Sequence, residues 1–356
     1  MVAKRSLRAM AGALAGLSVC AVCVTPAPGA EAPAPAAAGP SIDYTRPGDL
    51  VPLAGGRRLN LRCLGAGSPT VLLDAGGANW SYTWRFVQPA MARFTRVCSY
   101  DRAGYGFSDP SDRPATAMNI VDDLHTALAR AGISPPFVLV GQSAGGQYMT
   151  LYADLHLPDV VGMVLVDSGS SSWSQDDYVV ARRTPDELAK ERKDKADFRG
   201  LLRRCADQAR ANTIAAMKGA CPCGPSSLDR PDFAAYVVRY CAQPNHYEAM
   251  LAEDAALLGV PGMGPTETDK EEAAAARSFG AMPLIVLTQS RGFAYDGQRA
   301  ELKAGHLAAW RAGQVALLTL STRSKLIMPP NSGHMIQMSQ PKAVVDAVQE
   351  VVSAAR

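Results

Sequence analysis

Several things are scarce in this chain, and each scarcity narrows what it can do. Across 356 residues the formal net charge is only +3. No Lys/Arg run with interleaved aromatics occurs, so nucleic-acid binding has no support. There are five histidines, and any chemistry that needs an imidazole must choose among them. Beyond the N-terminal stretch, no segment is long and apolar enough to span a membrane, which takes about 20 residues. No internal repeat is present. Hydrophobic residues, by contrast, make up 47% of the chain, enough for a sizeable core and a subdomain beside it.

The first residues differ from the rest. Lys4, Arg5 and Arg8 precede an apolar stretch, Ala9 to Val24, and then "TPAPGAEAPAPAAAGP". That order reads as an export signal over 1–30, cleaved near Gly29 or Ala30, and a Pro/Ala-rich linker over 31–44. The alternative is a single membrane anchor, but the apolar run is short for one. Val19 before Cys20 and Val22 before Cys23 are poor company for a lipidated cysteine, and "KRSLR" is a poor twin-arginine signal. The expected location is periplasmic or secreted. Two of the eight cysteines fall in this leader, leaving Cys63, Cys98, Cys205, Cys221, Cys223 and Cys241. An even number in an exported chain suggests disulfides, the alternative being buried thiols.

After a hairpin-like start at 41–63, short apolar runs alternate with helical patterns. "TVLLDAGG", "TRVCSYDRAGYGFSD", "FVLVGQS" and "VVGMVLVDSGSS" alternate with stretches such as "MNIVDDLHTALARAG" and "GGQYMTLYADLHLP". This predicts a mostly parallel sheet with helices on both faces and a site at the carboxyl ends of its strands. The pattern spans 45–169, breaks over 170–280, where charge and helix formers dominate, and resumes over 281–356 with "MPLIVLTQS", "SKLIMPPNSGHM" and a last helix.

"GQSAGG" places Ser143 between an apolar strand and a helix, in the arrangement G-x-S-x-G. A sharp turn there strains the serine backbone, tolerated because Gly141 and Gly145 leave room, and lifts the hydroxyl above the sheet edge. The helix behind aims its dipole and free N–H groups at the same spot. Such a serine needs a base. His125, His156, His246 and His306 fall in helical or inserted segments and read as packing or surface residues. His334, in "PPNSGHM" just after the last strand, belongs at the same sheet edge and is the candidate base. The base needs an acid: Asp167, abutting the strand "GMVLVD", is favoured, and Asp296, in "TQSRGFAYDGQ", is the alternative. In "LLDAGGANW" the backbone N–H of Gly77, with that of Ala144, is the candidate oxyanion hole.

In this order (oxyanion turn, "DRAGYGFSD" loop, "GQSAGG" elbow, late His334) the chain resembles the α/β-hydrolase superfamily over about 45–170 and 280–356. The resemblance implies an eight-stranded sheet with an antiparallel strand near its start, and makes the 170–280 insertion a helical cap over the pocket. Three departures stand out. The loop after "MPLIVLT", the family's common place for the acid, offers no Asp or Glu before Asp296, although some members place it one strand earlier, at Asp167 here. "DAGG" stands where many members have His-Gly, and Gln142 replaces a frequent His. The family topology makes the Cys63 and Cys98 strands neighbours, implying that bond. A Cys221–Cys223 bond would close a very tight ring, so each is expected to pair with Cys205 or Cys241. A structural zinc on these four is the rival, disfavoured by export and by the lack of C-x-x-C spacing.

The resemblance implies a serine hydrolase needing neither metal nor organic cofactor, most simply a carboxylesterase acting on a small or medium acyl ester. The dehalogenase and epoxide-hydrolase branches use Asp at the elbow, where this chain has serine. A C–C bond hydrolase, an amidase or a perhydrolase keeps the same machinery. A non-catalytic ligand-binding member is the alternative from another class. The sequence is silent on oligomeric state.

Overall fold

The computed structural model describes residues 41–169, 183–213, 221–222, 236, 239–259, 264–292 and 300–356. The leader, Cys223 and Asp296 therefore lie outside the described residues. Eight strands form one sheet: β1 (Asp49–Pro52), β2 (Arg58–Leu64), β3 (Thr70–Asp74), β4 (Val97–Tyr100), β5 (Phe137–Gln142), β6 (Val160–Val166), β7 (Leu284–Leu287) and β8 (Ser324–Ile327). Their order is β1-β2-β4-β3-β5-β6-β7-β8. β2 runs antiparallel to β1 and β4, and every other pair is parallel.

The central strands explain why the sequence reads as unbroken apolar runs. Every residue of β3 and β5 is buried, because a parallel sheet is covered on both faces. Alternate residues supply two separate cores, as the strand period of two requires. Leu72, Leu139, Leu165 and Val286 pack with α2 (Ala117–Arg130) and α3 (Ala144–Leu155). Val71, Val140, Val166 and Leu287 pack on the other face with Met91 of α1 (Gln88–Met91) and with Val344, Val348 and Val351. Full burial of each such side chain stabilises by about 1.5–3 kcal/mol. In α2 the buried positions Ala117, Ile120, Val121, Leu124 and Leu128 make one stripe at helical spacing.

Between β6 and β7 lie α4 (Pro185–Arg210), α5 (Pro244–Leu257) and α6 (Glu267–Ala275). Capping boxes start α4 at Thr184/Glu187 and α6 at Thr266/Asp269. α4 and α5 are joined by Arg199 and Lys195 to Asp254, at 2.5 and 3.3 Å. After β7 come α7 (Ala300–Ala316), β8, the short α8 (Ile336–Ser339) and α9 (Pro341–Ala354), which carries Val344, Val348 and Val351. Cys63 and Cys98, direct partners in the β2–β4 ladder, form a disulfide. A second joins Cys205 to Cys221, and Cys241 is also disulfide-bonded.

Candidate active site

At the end of β5 the chain turns into α3 through Ser143, whose φ of 52° and ψ of −122° lie outside the regions favoured for residues with a side chain. The turn is held from both sides: the Ser143 N–H donates to the Val166 carbonyl (3.2 Å), and its own carbonyl accepts from Gly146 and Gly169 (2.9 and 3.1 Å). Glycine is required beside it. A Cβ at Gly141 would sit 2.3 Å from the Gly145 carbonyl oxygen, and one at Gly145 would sit 2.4 Å from that of Asp74. The strand-to-helix connection is thus too close for any side chain.

One strand along, β6 is followed directly by Asp167, itself at a positive φ of 45°. Its carboxylate is wholly buried and fully partnered. Oδ1 accepts from Trp310 Nε1 (2.8 Å), the Gln289 N–H (3.0 Å) and Thr288 Oγ1 (3.1 Å). Oδ2 lies 2.6 Å from His334 Nδ1. The Trp310 ring stands edge-on to the His334 ring, with centroids 5.6 Å apart. Gln142, next to the serine, donates its side-chain N–H to the His334 carbonyl at 3.3 Å, so the His334 loop lies against the elbow. His334 keeps 18% side-chain exposure, leaving its ring reachable from the site.

The turn after β3 closes the group. A Cβ at Gly76 would fall 3.2 Å from Ser143 Cβ, and one at Gly77 would fall 3.8 Å from Ala144 Cβ. Ala144 is the first residue of α3, so its N–H has no intrahelical acceptor. The structure thus brings Ser143, His334, Asp167, Gly77 and Ala144 to one end of the parallel strands. Asp296 lies outside the described residues.

Behind the turn after β3 sits a buried charge cluster. Arg102, from the "DRAGYGFSD" loop, donates to Asp74 Oδ1 (2.6 Å) and lies 3.0 Å from Glu253 of α5. Burial pushes Asp74 up to about 6, while Arg102 and the Tyr100 hydroxyl (2.7 Å) pull it down. Burial also raises Tyr105 and Tyr148, whose hydroxyls donate to Glu253.

The other histidines are elsewhere. His246 is buried among Trp80, Tyr240 and Tyr247, and burial lowers it to about 4. His306 is buried beside Arg183 and lowered to about 4, burial again the larger cause. His125 and His156 stack in parallel 4.0 Å apart, near Asp159. In-plane lone pairs of parallel rings never meet, so this trio has no common metal position as it stands. A cavity of about 90 Å³ between Arg102, Arg113 and α5 includes neither Ser143 nor His334 and plays no part in the chemistry below.

Sequence reasoning missed Trp310, Thr288 and Glu253. Arg102 lay in a motif it had singled out, without a role. The other three sit in helical or strand-end stretches with no motif of their own.

A G-x-S-x-G turn on a sheet of this topology, beside a histidine paired with a buried aspartate, defines a hydrolase fold. The chain belongs to the alpha/beta hydrolase family, whose pattern it matches over residues 65–347. Among curated relatives, an uncharacterized protein of Schizosaccharomyces pombe is 42% identical over 90 residues, which is 25% of this chain and 17% of that protein. The 2-hydroxymuconate semialdehyde hydrolase of Pseudomonas sp. (strain CF600) is 33% identical over 125 residues, 34% of this chain and 44% of that one. The chain thus spans less than half the length of either. Among solved structures, a thermophilic esterase from Thermogutta terrifontis superposes with a TM-score of 0.53 at 21% identity, covering 86% of this chain and 97% of that one. A haloalkane dehalogenase from Agrobacterium tumefaciens C58 gives 0.60 at 19% identity, covering 86% and 96%. At such identities these two bear on the fold alone.

Proposed function

We propose that the chain is an exported serine hydrolase that cleaves small or medium acyl esters, with Ser143 as nucleophile, His334 as base and Asp167 as acid. The observation that carries this is the 2.6 Å contact between His334 Nδ1 and the buried Asp167 carboxylate, in a loop held against the Ser143 turn. The contact fixes the Nδ1–H tautomer and makes the Nε2 lone pair the acceptor of the serine proton. Ser143 Oγ then attacks the acyl carbon as its proton passes to Nε2. The N–H groups of Gly77 and Ala144 receive the developing oxyanion. His334 returns the proton to the departing alkoxide, and the acyl-enzyme forms. Water, deprotonated by the same nitrogen, releases the acid. Each step is proton or acyl transfer among these groups and draws on no cofactor. The helices between β6 and β7 act as the cap that shapes the acyl pocket, and the disulfides fit an oxidising compartment.

A second reading changes the bond and keeps the residues: the likeness to a protein named 2-hydroxymuconate semialdehyde hydrolase favours a non-ester substrate, a C–C bond among them. Hydrolysis of p-nitrophenyl butyrate by the mature protein beside Ser143→Ala tests the main proposal. Turnover abolished by the substitution is expected. Turnover surviving it overturns the mechanism, and none in the native protein across short and medium acyl chains shifts the assignment to the second reading.

A further inference from the structure

We propose that Glu253, on the inserted helix α5, is a positioning residue for the oxyanion turn, so that docking of this helix is a condition for catalysis. The proposal rests on the assignment of Gly77 and Ala144 above. Four donors converge on the Glu253 carboxylate. Oε2 accepts from the Ala78 N–H and the Tyr105 hydroxyl, both at 2.8 Å. Oε1 accepts from the Tyr148 hydroxyl at 3.1 Å and lies 3.0 Å from Arg102 Nη2. Glu253 is only 4% exposed, so these interactions are barely screened. They come from three separate pieces of the site: Ala78 from the oxyanion turn, Arg102 and Tyr105 from the loop after β4, and Tyr148 from the helix that begins at Ala144.

The turn has two bonds of its own, from the Asn79 N–H to the Gly76 carbonyl (3.2 Å) and from the Asn79 side-chain amide to the Gly77 carbonyl (2.9 Å), and neither holds the Ala78 N–H. Ala78 sits at a φ of 58°, which disfavours any residue with a Cβ, and a residue stays there only when its surroundings insist. Arg102 and Glu253 supply that insistence from opposite ends of the peptide units. Arg102 donates to the carbonyls of Ala75 (2.6 Å), Gly76 (2.7 Å) and Asn79 (3.3 Å). The Gly76–Gly77 peptide is trans, so its C=O and N–H point in opposite directions. With the Gly76 carbonyl held on Arg102, the Gly77 N–H points away from Arg102. Glu253 fixes the very next N–H, at Ala78, and orients the guanidinium that does the rest. A Cβ on Gly77 would fall 3.7 Å from Glu253 and 3.8 Å from Ala144 Cβ. The turn is therefore clamped between the inserted helix and the nucleophile's helix.

Deleting one oxyanion donor costs roughly 10²–10³-fold in rate; loosening it is expected to cost about 10- to 100-fold. The test compares wild type, Glu253→Gln, Tyr148→Phe and Ser143→Ala in the full mature chain. Serine is titrated to completion with a fluorophosphonate, so that rates refer to folded sites. For Glu253→Gln, kcat with p-nitrophenyl butyrate is expected to fall about 10- to 100-fold with KM within about threefold. Inhibition by a trifluoromethyl ketone, whose adduct carries the oxyanion, should weaken by the same factor. Tyr148→Phe should move both in the same direction by less. A lower melting temperature with wild-type kcat and inhibitor affinity per titrated serine would make Glu253 merely structural and overturn the proposal. If Glu253→Gln does not fold, unchanged values in Tyr148→Phe overturn it instead. Activity surviving in Ser143→Ala sinks the proposed function along with it, whereas a dead Ser143→Ala beside an unaltered Glu253→Gln sinks the positioning role alone.

Discussion

Asp167→Asn is expected to abolish turnover through a tautomer rather than through unfolding. The amide is nearly isosteric with the carboxylate, but its two ends differ. The Oδ1 position faces three donors, Trp310 Nε1, the Gln289 N–H and Thr288 Oγ1, and only an oxygen satisfies them. The amide nitrogen is therefore forced into the Oδ2 position, 2.6 Å from His334 Nδ1 in the native chain. Nδ1 must then accept, the ring proton moves to Nε2, and the lone pair that would take the Ser143 proton is gone. An asparagine in this role costs about 10⁴-fold in kcat, equivalent to about 5 kcal/mol of transition-state stabilisation. The measurement is kcat with p-nitrophenyl butyrate, alongside a urea unfolding curve to show that the fold persists. Asp296→Asn, assayed beside it, should stay within about threefold of wild type, since Asp167 already meets the base. A loss below about tenfold in Asp167→Asn would refute the tautomer argument. A large loss in Asp296→Asn instead would move the acid there.

Two further outcomes concern stability. Burial lowers His246 to about 4, so below the unfolded value of about 6.5 the unfolded chain takes the proton first. The stability tied to His246 is therefore complete above pH 6.5 and declines toward pH 4, by about 2 kcal/mol between pH 7.5 and 5. Asp154, raised to about 6 by burial, works in the opposite sense below pH 6, because there the folded state holds the extra proton. Urea midpoints at the two pH values should show the loss shrinking in His246→Asn, and an identical pH slope in that variant would contradict this. The Cys63–Cys98 bond closes a separation of 35 residues, for which loop entropy gives about 3–4 kcal/mol. Replacing both cysteines by alanine should lower the unfolding free energy by about that much, and an unmoved midpoint would refute it.

The parts of this molecule legible in the sequence are those set by neighbours along the chain. "FVLVGQSAGG" predicts strand, turn and helix because the apolar run, the two glycines and the small residues all act within a few positions of Ser143. The alternation of β3, β5 and β6 with helices fixed the sheet class for the same reason, and a strand ending in Asp167 pointed to that sheet edge. The partners of Asp167 were illegible: Trp310 lies 143 positions away in a stretch that reads as an ordinary amphipathic helix. Glu253 was equally hidden, one acid among many in a charged insertion, its consequence resting on Ala78, 175 positions earlier. Local patterns reveal the candidate nucleophile; the groups that orient its surroundings come from packing across the fold.

The insertion leaves the sheet after β6 and returns at β7, and these strands are adjacent and parallel. Its two ends are thus held by a rigid frame, at opposite ends of two neighbouring strands, whatever lies between them. A segment tethered in this way can be lengthened, shortened or exchanged without disturbing the register of any strand. Under the proposed cap role, substrate preference becomes a replaceable module on a fixed catalytic chassis, open to revision by wholesale exchange of the segment between β6 and β7. The positioning role proposed for Glu253 attaches one condition to such grafts: the incoming segment must bring an acidic side chain to where Glu253 meets Ala78 and Arg102. Grafted chimeras could be sorted on that single residue before any is assayed.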